Sequence, residues 1–195
     1  AFLAAGSGLG DVVLFDTRPG IAAGKALDIG QSLAVMPGKV DVAGGDDWEM
    51  TAQSDVLVVT AGLARKPGMS RQDLLSVNAA IVCGVVERAL RHSPEAIVIF
   101  VTNPINTMTY LGHKVSGLPV GRVLGMAGVL DNARLRYFIA RGLSAPLSAV
   151  ESWVIGDHGD RMVPVISKAT VSGAALRSVA SAERIDEMCR RARNA

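Results

Sequence analysis

Residues 96–102 have the sequence AIVIFVT, a continuous run of apolar, mostly β-branched side chains that ends in a threonine. Similar runs occur earlier in the chain, as DVVLFD at 11–16, DVLVVT at 55–60 and a weaker stretch at 40–43. Runs without alternating polarity are typical of strands buried on both faces of a parallel sheet. Stretches with helical periodicity separate them, near residues 22–35, 71–91 and 104–115. The alternation predicts βαβ units and a doubly wound α/β domain.

The helix expected near 71–91 has clear signals at both ends. Ser70 is a candidate N-cap, and Asp73 stands three residues later, as in a capping box. Basic side chains such as Arg91 stand in the last turn, where they suit the negative pole of the helix, and Pro94 follows. These signals predict both ends of the helix.

The pattern of the sequence changes after about Gly125. The expected elements are a helix near 129–141, a strand near 152–155, possible antiparallel strands within 162–171 and a helix over 181–193. This change predicts two domains, over residues 1–127 and 128–195, of which the second is the start of an α+β unit.

The composition gives no sign of a nucleic-acid or membrane partner. The formal net charge is +2 and 49% of the residues are hydrophobic. No uninterrupted apolar run of about 18 residues could cross a membrane, and no basic segment at the N-terminus suggests a signal peptide. Cys83 and Cys189 are far apart and form no Cys-x-x-Cys pair, so no metal site is predicted. Two free thiols in a reducing, cytoplasmic compartment are expected over a disulfide.

The glycine-rich residues 6–10, GSGLG, do not have the context of a phosphate-binding loop. Such a loop follows a strand and opens a helix, whereas these glycines precede the strand at 11–16. We interpret them as the link from a short helix at residues 1–5. A first strand and its glycine loop are therefore expected upstream of residue 1.

Asp16 ends an apolar strand, where an acidic side chain has no packing role. In a Rossmann-type unit, a carboxylate at this point accepts hydrogen bonds from the ribose hydroxyls of NAD, and it would repel the 2′-phosphate of NADP. The alternative is a strand-end acid that starts a turn with Pro19 and Gly20.

Two other strand ends carry candidate ligand-binding residues, because ligands of open α/β sheets bind at the carboxyl ends of strands. Small residues at 60–62 would let a cofactor approach the backbone. Val101, Thr102 and Asn103 end the next strand, where Asn103 either orients a substrate oxygen or simply caps a helix. The cation-rich loop 62–71 is either solvated or a lid over a pocket.

Asp131 and Arg134 are three residues apart in a predicted helix, so they lie on neighbouring faces. Their simplest interpretation is a surface ion pair. His158 lies between Asp157 and Gly159 after a strand, a setting that exposes the imidazole.

Five stretches together resemble the lactate/malate dehydrogenase family, most closely its malate dehydrogenases of the lactate-dehydrogenase-like type. They are VVLFD (12–16), TAGLARKPGMSRQDLL (60–75), VTNPINTM (101–108), GMAGVLDNARLRYFIA (125–140) and GDHGDRMVP (156–164). The resemblance extends from residue 1 to about 170. It implies a Rossmann-type NAD-binding domain over 1–127, a substrate domain over 128–195, and a homodimer or homotetramer.

The resemblance also implies residue roles. His158 would be the acid/base, with Asp131 on its far ring nitrogen. Arg134 would bind the C1 carboxylate of the substrate, and Arg71 would polarise the reacting carbonyl. Asn103 would hydrogen-bond the same substrate region. The residues expected to contact NAD are Asp16, Asn78, Val101, Thr102 and Asn103.

Arg65 bears on the choice of substrate. The resemblance implies malate/oxaloacetate here, because malate enzymes of the family carry Arg at this position, to meet a second carboxylate, and lactate enzymes carry an uncharged residue. Asp157 is an acid as in lactate enzymes, so lactate or another 2-hydroxy acid is the alternative. A non-catalytic nucleotide-binding domain is a further alternative. The family's glycine loop and its last third have no counterpart here, so we expect a fragment that is inactive alone.

Overall fold

The computed structural model describes residues 1–36, 40–64, 67–158 and 161–195, and the backbone alone of Arg71. Its α-helices are α1 (Phe2–Gly6), α2 (Ile21–Leu33), α3 (Arg71–His92), α4 (Ile105–Ser116), α5 (Gly128–Leu143), α6 (Leu176–Val179) and α7 (Ala182–Arg193). Its strands are β1 (Val12–Phe15), β2 (Val42–Gly45), β3 (Val56–Val59), β4 (Ile97–Phe100), β5 (Val123–Gly125), β6 (Val150–Glu151), β7 (Val154–Gly156), β8 (Met162–Pro164), β9 (Thr170–Val171) and β10 (Ala174–Ala175).

The first five strands are parallel to their neighbours. β1 pairs with β2, and β4 lies between β3 and β5 in a second sheet. Parallel neighbours need a crossover connection, and α2, α3 and α4 supply these connections. The predicted α/β class is confirmed. The glycine-rich run joins α1 to β1, so it precedes a strand as predicted.

The expectation that the strands are buried on both faces is wrong for β3. Leu57 and Val59 pack into a core around Phe100, whereas Val56 and Val58 are 46% and 59% exposed. Successive side chains of a strand point to opposite faces, and α3 and α4 pack against only one of them. The continuous apolar run therefore identified the strand but not its environment.

The capping box at the start of α3 is present as predicted. The Ser70 hydroxyl accepts a hydrogen bond from the Asp73 backbone N–H at 3.0 Å, and the Asp73 carboxylate accepts one from the Ser70 N–H at 3.1 Å. The hydrogen bond from the Ser70 hydroxyl also lowers the pKa of Asp73. The helix start is thus determined by four consecutive residues.

Beyond β5 the strands pair in antiparallel fashion, β7 with β8, and β9 with β6 on one side and β10 on the other. They form the expected α+β unit, in which α5 and α7 cover a core containing Leu135, Val150 and Met188. The strand boundaries differ from the predictions. The strand expected at 152–155 begins only at Val154, and a 3₁₀ turn at Ile166–Lys168 divides the stretch expected at 162–171.

Both cysteines are free and half-buried. Burial raises the pKa of the Cys83 and Cys189 thiols. Within the described residues, every helix is too short or too polar to cross a membrane.

We predict that Ser70→Ala lowers the free energy of unfolding by about 1 kcal/mol, because it removes the side-chain cap of α3. Chemical denaturation measures the change. Ser76→Ala is the matched control, since the Ser76 hydroxyl bonds to the Gln72 carbonyl within the same helix, and it should change stability by a few tenths of a kcal/mol at most. Equal losses for the two variants would contradict the capping role.

Candidate active site

His158 contacts Asp131, as the family resemblance implies. The Nδ1 atom of His158 lies 3.0 Å from Oδ2 and 3.1 Å from Oδ1 of Asp131. A carboxylate only accepts hydrogen bonds, so Nδ1 carries the proton and Nε2 has a free lone pair in the neutral ring. The His158 side chain is 31% exposed and that of Asp131 only 3%. The imidazole is therefore held from its buried side and open on the other.

Arg134 approaches the same carboxylate. Its Nη1 atom lies 3.5 Å from Asp131 Oδ1, and its side chain is 30% exposed. A buried carboxylate without partners is strongly disfavoured, and two partners offset that cost. Asp131 also lies in the first turn of α5, where the helix dipole stabilises a negative charge. The alternative interpretation as a simple surface ion pair is wrong, because the acid is buried.

A second group of candidate residues lies at the carboxyl ends of β3 and β4. The Thr102 hydroxyl donates to the Ala61 carbonyl at 2.6 Å and approaches the Val59 carbonyl at 3.3 Å. Thr102 is only 7% exposed. Its side chain therefore holds the two strand ends together, and its backbone remains the part suited to a cofactor.

Asn78 joins the same two strand ends from α3. Its Oδ1 accepts a hydrogen bond from the Leu63 N–H at 2.7 Å, and its Nδ2 donates to the Asn103 carbonyl at 2.9 Å and to the Leu63 carbonyl at 3.3 Å. The residue is 1% exposed. We expected Asn78 to contact a cofactor, but its amide is already occupied by two backbone segments of the site.

Gly62 allows these segments to pack closely. A Cβ at this position would lie 2.7 Å from Thr102 Cγ2, and the backbone has φ of +155°. Both the space and the conformation favour glycine. The small residue predicted to admit a cofactor thus has an internal packing role as well.

Asn103 does not cap the following helix. The N-cap of α4 is Pro104, without a side-chain cap, and Asn103 is exposed. The structure therefore excludes the capping alternative and leaves the Asn103 amide available to a ligand. Val101 is half-buried, and its N–H donates to the Val59 carbonyl at 2.9 Å.

The two groups of residues belong to one edge of the fold. The N–H of Met126, just after β5, donates to the Phe100 carbonyl at the end of β4 at 2.8 Å. Helix α5 begins two residues later at Gly128. The first turn of α5, with Asp131, therefore starts beside the strand end that leads into Val101 and Asn103.

Asp16 follows β1 and is paired with Arg18. The carboxylate accepts hydrogen bonds from the Arg18 backbone N–H at 2.9 Å and from its guanidinium at 3.3 Å. This pairing lowers the pKa of Asp16. The Arg18 contact was missed from the sequence, although a cation two residues after the acid was a visible signal.

Two of the predicted site residues lie wholly or partly outside the described part of the chain. Arg65 is not among the described residues, and Arg71, the first residue of α3, is described by its backbone alone. In the described ranges, no group of three or more His, Cys, Asp or Glu side chains is arranged to hold a metal ion.

Two family models match the sequence. One, described as lactate/malate dehydrogenase, NAD binding domain, matches residues 1–125. The other, described as lactate/malate dehydrogenase, alpha/beta C-terminal domain, matches residues 128–192. The chain belongs to the lactate/malate dehydrogenase family. The resemblance inferred from the five sequence stretches is confirmed.

Individual family members are similar over almost the whole chain. A malate dehydrogenase of Dehalococcoides mccartyi is 48% identical over 184 residues, which are 94% of this chain and 60% of that protein. The apo malate dehydrogenase of Picrophilus torridus has a TM-score of 0.94 at 41% identity, covering 98% of this chain and 61% of that one. A lactate dehydrogenase of Cryptosporidium parvum, solved with lactic acid and NAD, has a TM-score of 0.89 at 41% identity, covering 100% and 63%. The chain thus spans about three fifths of the length of these family members.

We predict that Asn78→Ala lowers the free energy of unfolding by about 1–3 kcal/mol, since it removes a buried amide that hydrogen-bonds the Leu63 N–H and the Asn103 carbonyl. Hydrogen exchange of the Leu63 amide should become faster in the same variant. Asn106→Ala, at an exposed position of α4, is the control and should leave this exchange rate unchanged. If the Leu63 amide is protected equally in both variants, Asn78 does not hold this backbone segment in place.

Proposed function

We propose that the full-length protein transfers a hydride reversibly between malate/oxaloacetate and NAD/NADH. The observation that carries this proposal is the contact between His158 and the buried Asp131, with Arg134 on the same carboxylate. A non-catalytic nucleotide-binding domain has no use for a buried acid that orients a half-exposed imidazole.

His158 is the proposed acid/base. Asp131 fixes the ring with Nδ1 protonated, so that Nε2 accepts the proton of the substrate hydroxyl as the alcohol is oxidised. The imidazolium that forms is then stabilised by the carboxylate, as in other His–Asp pairs. An imidazole takes up and releases protons near neutral pH, which suits a reversible reaction.

The cations and Asn103 are proposed to hold the substrate. Arg134 binds the C1 carboxylate through its guanidinium fork. Arg71 faces the oxygen that gains negative charge when the carbonyl is reduced, and Asn103 hydrogen-bonds the same region. Support comes from the exposed Asn103 amide and the partly exposed Arg134, and for Arg71 from the family motif.

The described residues fit NAD as cofactor. Asp16 stands at the end of β1, where a carboxylate binds ribose hydroxyls, and Gly62 keeps the neighbouring strand end free of a side chain. Val101, Thr102 and Asn103 are proposed to contact NAD mainly through their backbone, and Asn78 to support that backbone. When bound, NAD accepts or returns the hydride.

Arg65 is proposed to decide the substrate. A dicarboxylate brings a second negative charge into the closed site, and an unpaired buried charge is costly. Arg65 would pair with it. L-lactate or another 2-hydroxy acid is the second candidate, favoured by Asp157 and by the similarity to a lactate dehydrogenase.

The wider setting is proposed from the family and the sequence. The NAD-binding domain would comprise residues 1–127 and the substrate domain 128–195, which is supported by the change from parallel to antiparallel strands after β5. We propose a cytoplasmic homodimer or homotetramer that acts in the tricarboxylic acid cycle, without nucleic-acid or membrane partners.

We predict that His158→Ala in the full-length protein lowers kcat for malate oxidation at least about 10²-fold, because a positioned acid/base contributes about 10²–10⁴. NADH formation measures the rate, and NAD binding measured by calorimetry should persist. His92→Ala, at the distant end of α3, is the control and should retain the parent rate. An unchanged kcat in the His158 variant would falsify its assigned role.

We predict that Arg65→Gln lowers kcat/KM for oxaloacetate at least about 10-fold while that for pyruvate is retained or raised, because an unpaired carboxylate costs more than about 1.4 kcal/mol. Arg88→Gln, an exposed position on α3, controls for loss of a positive charge. If oxaloacetate turnover survives the Arg65 change, Arg65 does not select the substrate.

A further inference from the structure

One face of α5 contacts the chain segment that leads to His158. We propose that three residues of this face, Gly128, Asn132 and Arg136, position His158 against Asp131 by fixing the register of α5 on residues 150–154. These three residues are called the contact row below. Its effect on turnover rests on the proposed function, whereas its effect on the imidazole does not.

The first member of the contact row is a close approach. A Cβ at residue 128 would lie 2.7 Å from the Val154 carbonyl oxygen. The first turn of α5 therefore packs directly on the backbone of β7, the strand after which His158 follows. Any larger residue at 128 would push the helix away from that strand.

The second member is a hydrogen bond between side chains. The Ser152 hydroxyl donates to Asn132 Oδ1 at 2.7 Å, and Ser152 is only 6% exposed. Asn132 is the residue that follows Asp131. This bond therefore connects the immediate neighbour of the buried acid to the segment that precedes β7.

The third member is a double contact of Arg136. Its Nε atom donates to the Val150 carbonyl at 2.9 Å, and its Nη2 atom donates to the Leu147 carbonyl at 3.2 Å. Both acceptors are backbone atoms, so the contact depends on where the chain runs and not on which side chains it carries.

The spacing shows that the three contacts form one register. Successive members are four residues apart on α5, which is about 6 Å of helix rise. Their partners at 154, 152 and 150 are two residues apart, which is about 6.6 Å of extended chain. The two segments run in opposite directions, and their spacings match over all three contacts. A slip by one residue would move the segment about 3.3 Å, enough to break a hydrogen bond of 3.0 Å between His158 and Asp131.

The hydrogen bond between Ser152 and Asn132 is the point at which to test the contact row. The full chain is labelled with ¹⁵N-histidine, and the ring nitrogen shifts report which nitrogen carries the proton. The chain has three histidines, and His158→Gln identifies the signals of His158. We expect the parent protein to show His158 with Nδ1 protonated, and Ser152→Ala and Asn132→Ala to shift it toward a mixture of the two tautomers.

Three controls separate positioning from general destabilisation. Ser152→Thr keeps the hydroxyl and should restore the parent signals. The double variant Ser152→Ala/Asn132→Ala should shift the signals no further than either single variant. Ser93→Ala removes another buried hydroxyl, 2% exposed and bonded to the Thr51 carbonyl, and should leave His158 unchanged. Should Ser152→Ala not fold, Asn132→Ala alone carries the test.

Turnover gives the second readout. In the full-length protein, Ser152→Ala should lower kcat about 10-fold with NAD affinity unchanged, because small misplacements of a reacting group cost up to about 10²-fold. His158 signals identical to the parent in both Ser152→Ala and Asn132→Ala would overturn the positioning role. Shifted signals in a protein whose parent form oxidises neither malate nor lactate would instead overturn the proposed function and leave the positioning role standing.

Discussion

The buried carboxylate of Asp131 is the constraint on which the site depends. A charged group that is 2% exposed requires partners, and it obtains them from His158, from Arg134 and from the amino-terminal end of α5. Those same partners are the groups suited to exchange a proton and to hold an anion. The interactions that stabilise the buried carboxylate are therefore the same ones that orient the imidazole.

In the parallel half of the fold, buried polar side chains fix the backbone at the ends of the strands. Asn78 and Thr102 use their side chains to bind strand ends and loop backbone together, and they leave the backbone of residues 101–103 at the sheet edge. The result is a surface built mainly from main-chain atoms. A surface of that kind suits a large cofactor, because its shape does not depend on flexible side chains.

Local signals were predictable from the sequence and long-range ones were not. The capping box of Ser70 and Asp73 and the pairing of Asp131 with Arg134 follow from residues within one turn. The open face of β3 depends on which helices pack against it, and β5, with only three residues, has no periodicity to detect. The contact of Asp131 with His158 came from the family motif. The hydrogen bond between Asn132 and Ser152 joins residues 20 positions apart, and no sequence pattern predicts it.

The contact row constrains residue identity on α5 more than it does along residues 150–154. On α5 the identities of all three residues matter, since one must lack a side chain and two must carry polar groups of the right reach. Along the opposite segment, Val150 and Val154 offer only their carbonyl oxygens, while their side chains, 0% and 9% exposed, serve the core. The strand side can therefore exchange one apolar residue for another, and the helix side cannot. Sequence drift in this chain should accumulate at 150 and 154 and spare 128, 132, 136 and 152.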